Sequence, residues 1–199
     1  MKEGMKLILA SASPRRKDLL NRLGLDFKVD SSNIDEDKYT EESPVDLVKL
    51  LASEKAKDVG SRYNNGLIIA ADTIVVWNNQ VLGKPENRKA AFKMLKNLSG
   101  KEHHVYTGIA FNIINNGNSE LISDIDYSKV KMRNYNQDEI DKYLNTGEYI
   151  DKAGSYAIQG HGSLLVKEIN GSYFTIVGLP IHKLAEILPE YSINLYNKN

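Results

Sequence analysis

The run Leu67-Ile68-Ile69-Ala70-Ala71-Asp72-Thr73-Ile74-Val75-Val76-Trp77 narrows most the folds open to this chain. Apolar residues occupy both of its faces, the pattern of a strand covered on both sides. A strand of that kind requires packed layers above and below it, so helices must wrap a sheet. Asn64-Asn65-Gly66 and Asn78-Asn79 are turn signals that bound it. Asp72 sits in its middle, on the face shared with Ile68, Ala70, Ile74 and Val76. A carboxylate there is costly unless it is paired or binds a cation. The alternatives are a structural aspartate bonded to a neighbouring loop and a functional group.

Strands and helices alternate through the first half. Lys6 to Ala10 reads as an apolar strand, Ser13 fits the N-cap of a helix and Pro14 its first position. Leu19, Leu20 and Leu23 form the inward stripe of that helix, and Gly24 ends it. Asp26 to Asp30 predicts a short strand, followed by the acidic loop Asn33 to Asp37. Ser43-Pro44 repeats the cap-plus-proline start, for a helix to about Val59. Asn87 caps a helix through Leu98 that Gly100 ends. His104 to Ile114 and Glu120 to Met132 then predict two long strands around an Asn-Gly turn. Asn136 with Glu139 forms a capping box for a helix ending near Gly147. Leu164 to Ile169 and Tyr173 to Val177 predict a second hairpin around Asn170-Gly171. Pro180 opens a last helix to about Leu188, and residues 190–199 read as a frayed end. The expected fold class is α/β, a mixed sheet with packed helices.

Composition removes several function classes. The 199 residues suit one domain or one two-lobed unit. Lys plus Arg number 26 and Asp plus Glu 26, which argues against a general nucleic-acid binder. The absence of cysteine excludes disulfides and thiolate metal sites. No apolar run reaches the length of a membrane span, and no signal-peptide pattern opens the chain, so no membrane association and a cytoplasmic location are expected.

Chemistry concentrates at a few places. Arg15 and Arg16 stand in the first turn of a helix, whose electropositive end disfavours cations. With the free N–H groups of that turn and the hydroxyls of Ser11 and Ser13, they make an anion receptor suited to phosphate. The alternative for both guanidinium groups is solvent or nearby carboxylates. Val48, Leu51, Ala52, Lys55 and Val59 share one helical face, which puts Lys55 on the apolar side. It either snorkels to solvent or joins Asp72 and the arginines as a phosphate ligand. Lys84 lies in Gly83-Lys84-Pro85, where Pro85 enforces extended backbone and so aims the ammonium. Asp35 and Glu36 are either a solvated pair or, with Asp72, ligands for Mg²⁺. Gly154, Gly160 and Gly162 flank Gln159, whose amide could read a base edge. The four histidines offer no metal spacing, and neither a P-loop nor a nucleophile elbow is present.

Ala10-Ser11-Ala12-Ser13-Pro14-Arg15-Arg16, Ser53-Glu54-Lys55-Ala56, Ala71-Asp72-Thr73, Gly83-Lys84-Pro85, the segment Asp151 to Gly160 and Val177-Gly178-Leu179-Pro180 occur in this order. Together they resemble the Maf family of nucleoside triphosphate pyrophosphatases, from about Leu7 to about Leu188. The resemblance implies one such domain over 1–199, with an inosine triphosphatase-like fold of two lobes around a cleft. It implies hydrolysis of nucleoside triphosphates to monophosphate and pyrophosphate with a divalent metal, Mg²⁺ or Mn²⁺. Carried over residue by residue, Ser11, Arg15, Arg16, Lys55 and Lys84 match substrate ligands, and Asp72 matches the proposed catalytic base. Asp35 matches an acidic position implicated, with Asp72, in metal binding. Arg15, Thr73 and Gln159 match the positions that sort the branches, and Asp-Thr with Ile-Gln-Gly resembles the dTTP/UTP branch. Thr175, Met132 and Ala157 depart from residues common in the family without touching the phosphate ligands.

The resemblance also carries a link to nucleotide house-cleaning, septum formation and division arrest. The second reading is therefore a non-catalytic nucleotide-binding regulator acting through a protein partner. It would keep the basic residues but has no need of a buried acid. The expected partner is a nucleoside triphosphate, with no nucleic acid and no membrane, and a homodimer is left open.

Overall fold

The computed structural model describes residues 5–39 and 43–196. Its elements, in chain order, are β1 (Leu7–Leu9), α1 (Pro14–Arg22), β2 (Lys28–Val29), α2 (Pro44–Gly60), β3 (Gly66–Trp77) and β4 (Gln80–Leu82). Next come α3 (Arg88–Leu98), β5 (Glu102–Asn115), β6 (Asn118–Met132), α4 (Gln137–Leu144), β7 (Val166–Asn170), α5 (Tyr173–Val177) and α6 (Ile181–Ile187). Four 3-10 turns, Glu36–Tyr39, Ala153–Ser155, Gly160–Leu165 and Leu188–Tyr191, complete the described elements. The expected mixed α/β class is observed: a seven-stranded sheet in the order β2-β1-β3-β5-β6-β7, with β4 on β3.

β1 runs parallel to both neighbours, pairing Ile8 with Lys28 and with Ile68. β4 turns back antiparallel on β3 through Asn78 and Asn79, both at positive φ, as a two-residue hairpin turn demands. Asn116 and Gly117 do the same between β5 and β6. Both asparagines of the first turn tolerate the left-handed region because their side chains are short and polar.

Two compact units divide the chain. Unit 1 holds Met1–Thr73, Thr107–Asp126 and Gly178–Asn199; unit 2 holds Ile74–Tyr106 and Tyr127–Val177. In unit 1, Ile8, Ala10, Ala52, Ala56, Val59, Ile68, Ala70, Ala110 and Ile114 form one buried cluster. Its many alanines let α2 lie close to the sheet. Gly108 tightens this further, since a Cβ there would overlap the Val48 backbone. Asn112 Nδ2 then donates to the Ala56 carbonyl at 3.2 Å, tying β5 to α2. In unit 2, α3 packs on α4 and on the turn Ala153–Ser155. Asn136 and Glu139 make both bonds of the expected capping box.

Two expectations fail. Tyr173–Val177 is helical, so no second hairpin forms, and β7 pairs with β6 instead, Val130 facing Ile169. Over five residues, burial of Thr175 and Val177 fits either a strand or one helical turn, and β-branched composition does not decide between them. Ser13 occupies the N-cap of α1 but makes no side-chain capping bond; its own N–H donates to Ser11 Oγ at 3.2 Å. Of the segment read as a frayed end, residues 197–199 lie outside the described residues, and Leu188–Tyr191 forms a 3-10 turn.

Candidate active site

Arg16 makes three side-chain hydrogen bonds within unit 1. Its Nε donates to the Gly178 carbonyl at 2.7 Å, Nη1 to Ser11 Oγ at 3.0 Å and Nη2 to Thr73 Oγ1 at 3.1 Å. The α1 turn, the loop after β1, the middle of β3 and the segment before α6 thus converge on one guanidinium. Gly178 permits the approach: its φ is +108, and a Cβ there would come within 3.0 Å of Thr73 Oγ1. Arg16 therefore has a structural role that its position in the helix sequence does not reveal. Burial lowers its pKa; Asp72 and Glu36 oppose the shift and Arg15 adds to it. Arginine remains charged at neutral pH through such a shift. Arg16 therefore feels the charges of Asp72, Glu36 and Arg15.

Arg15, half-buried beside it, makes no hydrogen bond or ion pair among the described residues. Burial alone lowers its pKa. Its donors are uncommitted at the start of a helix with no acidic residue in its first turn. An anion receptor is what the sequence predicts at this turn; in the structure Arg15 is open and Arg16 is held.

Lys55 and Asp72 meet directly. Lys55 Nζ donates to Asp72 Oδ1 at 2.6 Å, and both side chains are only 12% exposed. The helical face that carries Val48 and Ala52 aims Lys55 inward, and the period-two face of β3 aims Asp72 at it. Glu36 Oε1 lies 2.8 Å from the same ammonium. Two carboxylates on one ammonium leave a net charge of about −1, which attracts a further cation.

Glu36 reaches that place because its loop is anchored. Asp58 of α2 accepts from Ser32 Oγ at 2.9 Å and from the Asn33 N–H at 3.0 Å. The Asn33 bond is the chief reason the Asp58 carboxyl titrates below the usual range. Arg62 adds a bond to the Ser31 carbonyl at 3.1 Å. Asp35, one residue before Glu36, points elsewhere: it lies 3.8 Å from Lys38 and is 58% exposed.

Lys84 and Gln159 belong to unit 2. Lys84 is exposed in the loop after β4, and Gln159 is half-buried at the start of Gly160–Leu165. The Gly154 N–H donates to the Gly83 carbonyl at 3.2 Å, so the two loops are tied together. Glu148 braces the Gln159 loop by accepting from the His161 N–H at 3.0 Å, from Gly162 N–H at 3.1 Å and from His161 Nδ1 at 2.7 Å. Tyr143 OH accepts from the Ala157 N–H at 3.1 Å.

The structure brings Ser11, Arg16 and Thr73 together, and separately Lys55, Asp72 and Glu36. Sequence reasoning passed over Thr107, Asp58 and Glu148, and gave Gly178 no role beyond its place in a motif. Gly178 before Leu179-Pro180 was a usable signal, since glycine marks close backbone approach. Thr107 offered none: it is one more β-branched residue in a strand. Among the described residues no group of three or more His, Asp or Glu side chains could hold a metal. No described helix is long and apolar enough to cross a membrane.

Residues 6–191 match the family profile described as Maf-like protein. A protein of Clostridioides difficile (strain 630) named dTTP/UTP pyrophosphatase is 48% identical over 193 residues, spanning 96% of this chain and 98% of its own length. One of the same name from Dictyoglomus turgidum is 44% identical over 191 residues, spanning 96% and 98%. Among solved structures, a HAM1 protein from Coxiella burnetii aligns over 94% of this chain and 99% of its own, at 15% identity and a TM-score of 0.41. With a profile match from β1 to the turn after α6 and relatives alike over their full lengths, this chain belongs to the Maf-like protein family.

Proposed function

We propose that this protein hydrolyses nucleoside triphosphates, dTTP and UTP in preference, to the monophosphate and pyrophosphate. The observation that carries the reading is the buried Lys55–Asp72 pair beside Arg15 and Arg16 at the start of α1. The names of the relatives supply the substrate class.

Arg15 binds the triphosphate with its uncommitted donors, and Arg16 presents its remaining N–H groups in a fixed orientation. A triphosphate carries concentrated negative charge, and bidentate guanidinium contacts match its oxygens. Lys55 adds a point charge, the role the family resemblance also implies for Lys84. Water attacks the α-phosphorus, the bond to the α–β bridging oxygen breaks, and pyrophosphate leaves. Asp72 accepts the proton of that water, which Lys55 on Oδ1 orients it to do. The arginines stabilise the negative charge that builds on the leaving pyrophosphate, and fixed charges aimed in this way usually account for most of the rate enhancement. Gln159 reads the pyrimidine edge, and Arg15 contributes to selectivity.

Hard oxygen donors and a net negative charge at Asp72 and Glu36 fit Mg²⁺ or Mn²⁺. The chain offers at most these carboxylates among the described residues, so phosphate oxygens and water would complete the shell. Bound there, a divalent ion supplies charge neutralisation and lowers the pKa of water. Asp35 remains as an outer carboxylate of the same loop, a candidate second support for the ion.

Pyrophosphate release from a panel of dTTP, UTP, CTP, ATP and GTP, with Mg²⁺ and with Mn²⁺, tests the reading. Release from dTTP and UTP is expected. Binding without release from any of them refutes it.

A further inference from the structure

We propose that Thr107 is a positioning residue for Arg16, acting through the hydroxyl of Thr73. The inference rests on the reading of Arg16 as a triphosphate ligand. Arg16 is held by three acceptors, and each must itself be fixed if the guanidinium is to be fixed. The Gly178 carbonyl is backbone. Ser11 Oγ is pinned by a second bond, from the Ser13 N–H. Thr73 Oγ1 is different: a hydroxyl rotates, and its acceptor direction follows from where its hydrogen points. The group that sets this is Thr107, whose Oγ1 lies 2.9 Å from Thr73 Oγ1.

Thr107 is fully buried in β5, the sheet neighbour of β3. The residue after it, Gly108, leaves no space against the Val48 backbone, so β5 is locked to α2 at this level. α2 also carries Lys55. Thr73 Oγ1 accepts from Arg16 and shares with Thr107 Oγ1 a hydrogen bond in which either hydroxyl can donate, so Arg16 Nη2, Thr73 Oγ1 and Thr107 Oγ1 form one chain. Thr73 then affects turnover by holding Arg16, whichever base the substrate carries. Small misplacements of a positioning group reduce rates severely, up to about a hundredfold for about 1 Å.

Thr107→Val keeps the shape and removes the hydroxyl; Thr107→Ser keeps the hydroxyl. In the metal-supplied enzyme, Thr107→Val is expected to lower kcat/KM about tenfold, within the range misplacement causes. The loss should be equal for dTTP, UTP and CTP, and Thr107→Ser should restore most of it. In an Arg16→Ala background, Thr107→Val should produce no further loss, because the residue it positions is gone. A full loss persisting in that background marks Thr107 as merely structural and overturns the proposal. A changed ratio among the bases overturns it too, since Thr73 and Thr107 would then serve base recognition. Should Thr107→Val fail to fold, Thr107→Ala against Thr107→Ser carries the same cycle. If the wild type releases no pyrophosphate, the functional reading fails by itself. The cycle is then run on dTTP affinity by calorimetry, where the same coupling supports the proposal and additivity refutes it.

Discussion

Acidification should destabilise this protein through one buried ring. His103 is 1% exposed; its Nε2 shares a hydrogen bond of 2.8 Å with Tyr156 OH, and its Nδ1 has no partner. Protonation would place a charged N–H at Nδ1 with nothing to accept it. Burial, chiefly, and the neighbouring His104 lower its pKa from 6.5 to about 4. The folded value lies below the unfolded one, so the unfolded state takes up the proton first. Stability from the neutral ring is therefore complete above about pH 6.5 and declines as pH falls toward 4. Between about pH 7.5 and 4.5 the loss integrates to about 2–3 kcal/mol. For a chain of this size that is about 5–10 °C in Tm. Urea unfolding across that range, for wild type and His103→Gln, isolates the contribution of this ring, because the carboxylates titrate alike in both. The wild type should lose about 2–3 kcal/mol more than the variant over the interval. Parallel decline of the two, within about 0.5 kcal/mol, refutes the account of His103.

Asp72→Asn should reduce kcat by about a hundredfold or more while dTTP still binds by calorimetry; retention of more than about a tenth of kcat removes Asp72 as the base. The variant should remain folded, since Lys55 keeps Glu36 as a counter-charge. Arg16→Ala should cost about 1–3 kcal/mol of stability, the range for one buried acceptor left unpaired, because Gly178 loses its donor while Thr73 keeps Thr107 and Ser11 keeps the Ser13 N–H. An unchanged Tm for Arg16→Ala contradicts the anchoring described. Selectivity should favour dTTP and UTP over ATP and GTP, with Gln159→Ala narrowing the gap; comparable kcat/KM on purine triphosphates defeats the base-reading role.

Local signals made most of the architecture readable. The two-faced apolar run located β3, proline after serine located α1 and α2, and Asn-Gly located the β5–β6 turn. Helical spacing alone put Lys55 on the inward face, and strand alternation put Asp72 on the face that meets it. What escaped depends on partners distant in sequence. Tyr173–Val177 is too short for its period to register. Ser11 rather than Ser13 engages backbone and arginine, because the chain between them bends in a way no propensity encodes. The choice between Asp35 and Glu36 turns on the phase of a 3-10 turn that Asp58 anchors from α2. Adjacent acids look alike until that phase is known. Thr107 matters here through Arg16, and nothing near it in sequence announces that; Gly178 before Leu179-Pro180 marks a close approach but not its partner.

The bond from Arg16 to Gly178 joins residues 162 positions apart. The arginine thus waits for a carbonyl made 162 residues later in synthesis. Loop-closure entropy makes such a pairing late and slow to form. Until the segment before α6 docks, the guanidinium lacks one of its anchors and a nascent chain holds Arg16 incompletely. A fragment stopping short of Gly178 should bind triphosphate poorly even where its strands have formed. Nucleotide, by binding only the completed arrangement, would in turn draw the last segment home and act as a folding ligand.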